Sequence, residues 1–346
     1  MVMEDDIEAH AWSFHSVKGG VGKSTLAVLC AARLSQDHKV VLIDADLTGA
    51  SLSDVLPLWA PYWDKELDLS AKPSGHQDPA DLVQKRLDAS DATPVGVPYL
   101  NDWLRYPRDS EWKSKEYDVE SLLWRPHDEQ LPQLLRLIPS SALPADLWSV
   151  LPLLYDEGFS AFAESRLEWL LNGLLNLGYR RFVFDTPPTL PGFSRAVMSM
   201  ALRLPSSERL APEGLAPETV ERARWTWRPC LVTTQDTQDL LATERWLSAL
   251  DPRDRREIQV VLNRFDKAES AVRSVVTRAL LNKKFEEAQL TEKQPSILDG
   301  EIAIIPLHQD YRLFDAWRQF ELPVPMPRPI SDLVRNQRLG TEDGAT

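Results

Sequence analysis

One short run constrains this chain more than any other: Val17-Lys18-Gly19-Gly20-Val21-Gly22-Lys23-Ser24-Thr25. It lies between an apolar stretch at 11–17 and a segment whose apolar side carries Leu26, Leu29, Cys30 and Leu34. A strand that breaks into glycines and resumes as a helix can turn its backbone N–H groups inward around a phosphate, with the helix's positive end behind them. Gly22-Lys23-Ser24 fills the end of the pattern G-x-x-x-x-G-K-[ST], with valine at 17 in place of its first glycine. In that pattern the lysine reaches the β- and γ-phosphates and the hydroxyl ligates Mg²⁺. The run therefore predicts ATP and Mg²⁺ as ligands, with Gly19, Gly20, Val21, Gly22, Lys23, Ser24 and Thr25 as the cradle.

The rest of the chain repeats one rhythm. Val40-Val41-Leu42-Ile43 is a continuous apolar run, fit for a strand buried on both faces. Similar runs occur at 134–138, 181–184, 230–233, 258–262 and 302–305, and helical patterns at 161–177, 240–250 and 271–288 separate most of them. Strands alternating with helices predict an α/β fold, a mostly parallel central sheet with helices on both faces. Two stretches break the rhythm. Residues 53–132 hold nine prolines and five tryptophans, and residues 205–228 are rich in proline, glutamate and arginine. Both read as insertions into one domain over 1–330, followed by a polar tail at 331–346.

Carboxylates stand where apolar runs end. Asp44 and Asp46 follow Val41-Leu42-Ile43, and Asp185 follows Phe182-Val183-Phe184. Ligands of open α/β sheets bind beyond the carboxyl ends of the strands, and paired carboxylates there repel unless a cation serves them. An apolar strand ending in aspartate is the arrangement that holds a Mg²⁺-bound water beside a phosphate loop.

In this order the motifs resemble the ParA/MinD ATPases with a deviant Walker A loop. The likeness runs over roughly 10–52, 133–200 and 229–312. It implies that Lys18 crosses to a second copy's phosphates in an ATP-bound dimer, supplying a charge that other NTPases take from an arginine finger. It also implies that Asp46 activates the attacking water, that Asp44 supports the Mg²⁺ shell with Ser24 and Asp185, and that Asp185-Thr186-Pro187-Pro188 senses the γ-phosphate. Asn263, at the end of Val260-Val261-Leu262, would read the adenine edge, and Pro306 would pack on the base. Lys18, Lys23 and Asp46 are thus the expected catalytic groups of a slow, partner-stimulated ATPase that dimerises with ATP.

Composition narrows the neighbours. The net charge of −13 disfavours a surface that is basic all over, although 253–284 carries nine Lys/Arg against four Asp/Glu, a net +5 that could track nonspecific DNA. Neither Cys30 nor Cys230 belongs to a C-x-x-C pair, which argues for buried thiols and against the cluster-binding and metal-bridged members of the class. No apolar run spans a membrane, no basic amphipathic helix ends the chain, and no tyrosine follows Tyr311. The acidic start without an apolar leader predicts a cytoplasmic protein. The tryptophans of 53–132 are expected to pack on the core or to meet a protein partner. Two other readings stand beside the switch: an accessory subunit that holds nucleotide with little turnover, and an ATP-dependent ligase or kinase with a substrate pocket in the insertion.

Overall fold

Nine residues of extended, almost wholly buried chain, Glu8–Ser16, form the strand on which everything else is arranged. The structure, a computed structural model, describes residues 7–47, 52, 55–56, 58–61, 76–77, 99–105, 119–126, 131–141, 143, 146–148, 150–151, 159–188, 192–205, 223–265, 302–306 and 328–335. In chain order the described strands are β1 (Glu8–Ser16), β2 (Val40–Asp44), β3 (Leu58–Pro61), β4 (His76–Gln77), β5 (Arg125–Pro126), β6 (Leu135–Ile138), β7 (Arg181–Pro188), β8 (Arg224–Thr233), β9 (Gln259–Phe265) and β10 (Ile302–Pro306). The described α-helices are α1 (Lys23–Leu34), α2 (Leu100–Arg105), α3 (Phe159–Asn176), α4 (Gly192–Arg203), α5 (Thr237–Ser248), α6 (Pro252–Glu257) and α7 (Arg328–Arg335).

Seven strands form one sheet in the order β10-β9-β8-β1-β7-β2-β6, and every pair in it is parallel. Successive side chains of a strand point to opposite faces, so apolar runs supply two cores. Val41, Ile43, Phe182 and Phe184 pack with the apolar sides of α3 and α4. Val40, Leu42, Val183, Trp12 and Phe14 pack with α1 and α7 on the other face. The α/β architecture is the one the alternating pattern predicts. Because the strands are parallel, their carboxyl ends gather at one edge, where the glycine loop and the aspartates stand.

The structure redraws two sequence-level boundaries and adds a helix. Residues 224–228, read as the end of an insertion, are the first half of β8, with Trp225 and Trp227 buried. The tryptophans there alternate with Arg224, Thr226 and Arg228 beside a proline-rich segment, so no continuous apolar run marks the strand entering the sheet. The polar tail expected from 331 begins inside α7, whose Ile330, Leu333 and Val334 are buried against α1, while Arg228 Nη1 donates to the Leu333 carbonyl at 2.9 Å. Three apolar side chains at helical spacing suffice to dock a short helix. Helix α4 was not anticipated; its buried face mixes Ser194 with Phe193, Ala196, Val197, Met200 and Ala201.

The described parts of 53–132 join the same cores. Strands β4-β3-β5 make a small antiparallel sheet, and Trp124 pairs with Leu137 of β6 through hydrogen bonds of 2.8 and 3.1 Å. Trp103 and Trp124 are buried and Trp59 half-buried, whereas Trp63 and Trp112 lie outside the described residues. The helix expected at 271–288 also lies outside them, as does the basic run beyond 265. Both cysteines are buried and free. Among the described residues, no helix is long and apolar enough to cross a membrane.

Candidate functional site

Strand β1 ends at Ser16, and the chain turns through 17–22 before α1 begins at Lys23. The turn depends on left-handed backbone at Gly20 (φ 78°) and Gly22 (φ 91°), which side-chain-bearing residues rarely adopt. Gly22 is doubly constrained, since a Cβ there would lie 2.4 Å from the Asn263 amide nitrogen. That nitrogen donates to the Val21 carbonyl at 2.8 Å, so the end of β9 holds the loop from behind. Asn263 is buried in this role, and Arg264 beside it adopts φ 54°, a conformation uncommon for arginine. Pro306 pairs with Phe265 in the register of β10 and β9, which places it at the same edge.

Lys23 opens α1 and is 6% exposed. Burial pulls its ammonium pKa down, while Asp185 and Asp46 push it back up. The Ser24 hydroxyl is hydrogen-bonded to the Asp185 carboxylate. Asp44 and Asp185 stand opposite each other on β2 and β7. Asp44 is fully buried and its pKa is pushed up to about 8 by that burial, then by Asp185. Its carboxylate accepts from Leu52 N (2.9 Å), Ser140 Oγ (2.9 Å) and Asp46 N (3.3 Å), so it ties together the segments that follow β2 and β6. Asp185 is pushed up to about 7, chiefly by burial, with Ser24 and Lys23 opposing. Among the described residues its Oδ1 is buried and lacks a hydrogen-bond partner.

That unanswered oxygen tests the fit of a metal. A hard dication takes oxygen ligands, and Mg²⁺ is usually held by one or two protein oxygens together with substrate phosphates and water. Asp185 Oδ1 beside the Ser24 hydroxyl supplies such a set. No group of three or more His, Cys, Asp or Glu among the described residues forms a cage of its own. The residues therefore fit Mg²⁺ that arrives with a nucleotide.

Lys18 behaves differently from Lys23. Its side chain is 39% exposed and reaches α5 of its own chain, with Nζ 3.3 Å from Gln238 Oε1 and 3.4 Å from Asp239 Oδ1. Asp239 in turn accepts from Thr234 Oγ1 at 2.6 Å. The structure thus brings Lys23, Ser24, Asp44, Asp46 and Asp185 to one place under the loop, holds Asn263 against the loop's back, and turns Lys18 outward. Sequence reasoning did not find Asp239 and Gln238. Nothing in their spacing links them to a lysine 220 positions earlier, and only the neighbouring of β1 and β8 brings them close. It also passed over His15, buried directly beneath the loop.

Comparison with known proteins bears on this segment. The family model ParA, described as NUBPL iron-transfer P-loop NTPase, matches residues 9–74. An uncharacterised ATP-binding protein of Methanocaldococcus jannaschii is 30% identical over 110 residues, 31% of this chain and 40% of that protein. The chain thus aligns with less than half the length of this curated relative. Among solved structures, apo McdA of Cyanothece shares 15% identity, with 87% of each chain covered and a TM-score of 0.45. A plasmid partition protein of Borrelia burgdorferi shares 16% (88% and 93% covered, TM-score 0.41), and the cell division ATPase MinD of Pyrococcus furiosus 16% (79% and 80% covered, TM-score 0.40). The loop and the aspartates at 44 and 46 all fall within the matched residues 9–74, a ParA-type P-loop NTPase segment.

Proposed function

On the premise of a ParA-type P-loop NTPase, we propose that the chain binds and hydrolyses ATP as a switch, closing as a pair of copies with ATP and reopening on hydrolysis. One observation carries the reading: a buried lysine, a serine hydroxyl and an aspartate with an unanswered oxygen converge under a positive-φ glycine loop. Lys23 binds the β- and γ-phosphates with the loop N–H groups. Mg²⁺, held by Ser24 and Asp185, would neutralise charge developing on the phosphates. Asp44 fixes the end of β2, and Asp46 orients the attacking water. Asn263 holds the loop in shape through Val21; it would also read the adenine edge, with Pro306 packing on the base. Turnover is slow and depends on a partner, since Lys18 must leave Asp239 before it can serve a second copy's phosphates. The output is a change in affinity for a protein partner at 53–132 or for nonspecific DNA through the basic run at 253–284.

Size exclusion of Asp46→Ala tests the pairing. With saturating ATP and Mg²⁺ it should elute as a dimer, and without nucleotide as a monomer. A monomer in both conditions overturns the closed pair. The Lys18–Asp239 contact favours a second reading, an accessory subunit that holds nucleotide with little turnover. In that case Lys18→Ala leaves biological activity intact while Lys23→Ala abolishes it.

A further inference from the structure

Beneath the loop a chain of polar groups links β8, β1, β7 and α4. Trp227 Nε1 donates to Ser13 Oγ at 3.1 Å, and Ser13 Oγ lies 2.9 Å from His15 Nε2. On the other side of the ring, His15 Nδ1 lies 3.2 Å from Ser194 Oγ and 3.3 Å from Thr186 Oγ1. Ser13, His15, Thr186 and Ser194 are all fully buried, so their hydrogen bonds must be met by protein groups.

Thr186 favours one of the two tautomers. Its hydroxyl donates to the Phe14 carbonyl at 2.7 Å, so toward His15 it offers lone pairs only. A lone pair on Nδ1 would face them and repel. With the proton on Nδ1 the Thr186 and Ser194 oxygens both meet a donor, and Nε2 accepts from the Ser13 hydroxyl, whose oxygen takes the Trp227 N–H. Burial, then nearby Lys23, holds the imidazole neutral, with its pKa lowered to about 3.

The Nδ1–H is the one donor in this chain with two acceptors, and they belong to different elements. Thr186 follows Asp185 on β7, while Ser194 sits in the first turn of α4. Between them run Pro187 and Pro188, and Pro188 lies against Gly19, where an added Cβ would meet its side chain at 3.8 Å. Thr186 on β7 and Ser194 in the first turn of α4 are thus both linked to β1 through His15.

We propose that His15 is a positioning residue for the switch: its single Nδ1 proton is shared between Thr186 and Ser194, and its hold on both sets where Asp185 stands relative to the loop. The proposal rests on the ATP-hydrolysing reading above. It predicts that loss of the donor lowers turnover and leaves ATP affinity in place, because Lys23 and the loop N–H groups are untouched.

The test combines a spectrum with two variants. A ¹⁵N-edited spectrum of the ring nitrogens, with the His15 signals assigned by their loss in His15→Asn, should show the Nδ1–H neutral form in the nucleotide-free protein from pH 5 to 8. His15→Asn keeps a donor near the Nδ1 position and should retain turnover within about threefold, whereas His15→Leu should lose about tenfold in kcat, the worth of one hydrogen bond of about 1.4 kcal/mol, with KM for ATP within about twofold. Ser194→Ala, which removes only the α4 acceptor, should also lower kcat and serves if His15→Leu does not fold. An Nε2–H or charged ring overturns the proposal, as do equal losses in the Asn and Leu variants or wild-type turnover in Ser194→Ala. A wild-type protein that neither binds nor hydrolyses ATP defeats the functional reading instead, and the ring spectrum still reports on the hydrogen-bond chain.

Discussion

Two of the described regions that bury charge treat it in opposite ways. In the first, Arg166 of α3 is almost fully buried against Trp103 of α2. Its guanidinium donates to the Trp103 carbonyl through Nε (3.0 Å) and Nη2, and the Trp103 indole N–H returns a bond to the Arg166 carbonyl at 3.0 Å. The same cation lies 5.1 Å from the Trp103 ring centroid and 4.9 Å from that of Trp169. In the second region, under the glycine loop, Lys23 meets Asp46 and Asp185, Asp44 faces Asp185, and one Asp185 oxygen has no partner among the described residues. Buried charge that is answered on every side clamps two helices together. Buried charge left partly unanswered is costly in the free protein and gains its partner from a ligand.

The largest expected effect separates the two regions by function. Lys23→Ala should weaken ATP binding by about 100-fold or more, because a buried cation aimed at phosphates is lost. Equilibrium titration with a fluorescent ATP analogue reads this directly. In the clamp the effect should move to stability. Trp103→Ala should cost about 3–5 kcal/mol in a denaturant melt, while the folded fraction keeps its ATP affinity within about twofold. A Trp103 variant that folds normally yet loses nucleotide would erase the distinction.

A smaller effect concerns pH. Asp44 and Asp185 hold their protons more tightly in the folded chain, at about 8 and about 7, than the ordinary carboxylate value of 3.8. The folded state then binds more protons than the unfolded one between these values, so each group's contribution to stability is present below pH 4 and is lost as pH rises through 7 to 8. His10 and His15, lowered to about 4 and about 3, act in the opposite sense up to about pH 6.5. The carboxylate effect should therefore show most cleanly between pH 6.5 and 8, as a falling melting temperature of the nucleotide-free protein. Asp44→Asn should flatten that fall, and Arg166→Met should leave its slope unchanged.

The two regions also differ in how far they could be read from sequence. The loop, Asp44 and Asp185 were legible because each follows a continuous apolar run, and a parallel sheet must bring the ends of such runs to one edge. The Arg166 clamp was not legible. Trp103 lies in a stretch whose composition suggests an insertion, and its partner is 63 residues away on a helix recognised only by its periodicity. The first half of β8 was missed for a related reason: Arg224, Thr226 and Arg228 alternate with buried tryptophans, a half-exposed pattern beside a proline-rich segment. His15 was passed over because a histidine among apolar neighbours carries no spacing signal. Its partners Thr186 and Ser194 arrive from 171 and 179 positions away. Asn263 gained a contact that sequence could not supply, since its grip on Val21 depends on β9 standing two strands from β1.

The central claim is that the unanswered charge under the loop is the seat of a nucleotide with Mg²⁺. Calorimetric titration of ATP into the wild-type chain and into Asp185→Asn, each with and without Mg²⁺, tests it most directly. The account predicts that Mg²⁺ tightens ATP binding to the wild type by about tenfold or more and that Asp185→Asn loses most of this gain, since the neutral carboxamide lacks the carboxylate's charge. Equal tightening by Mg²⁺ in both proteins, or no ATP binding by the wild type at all, would contradict it.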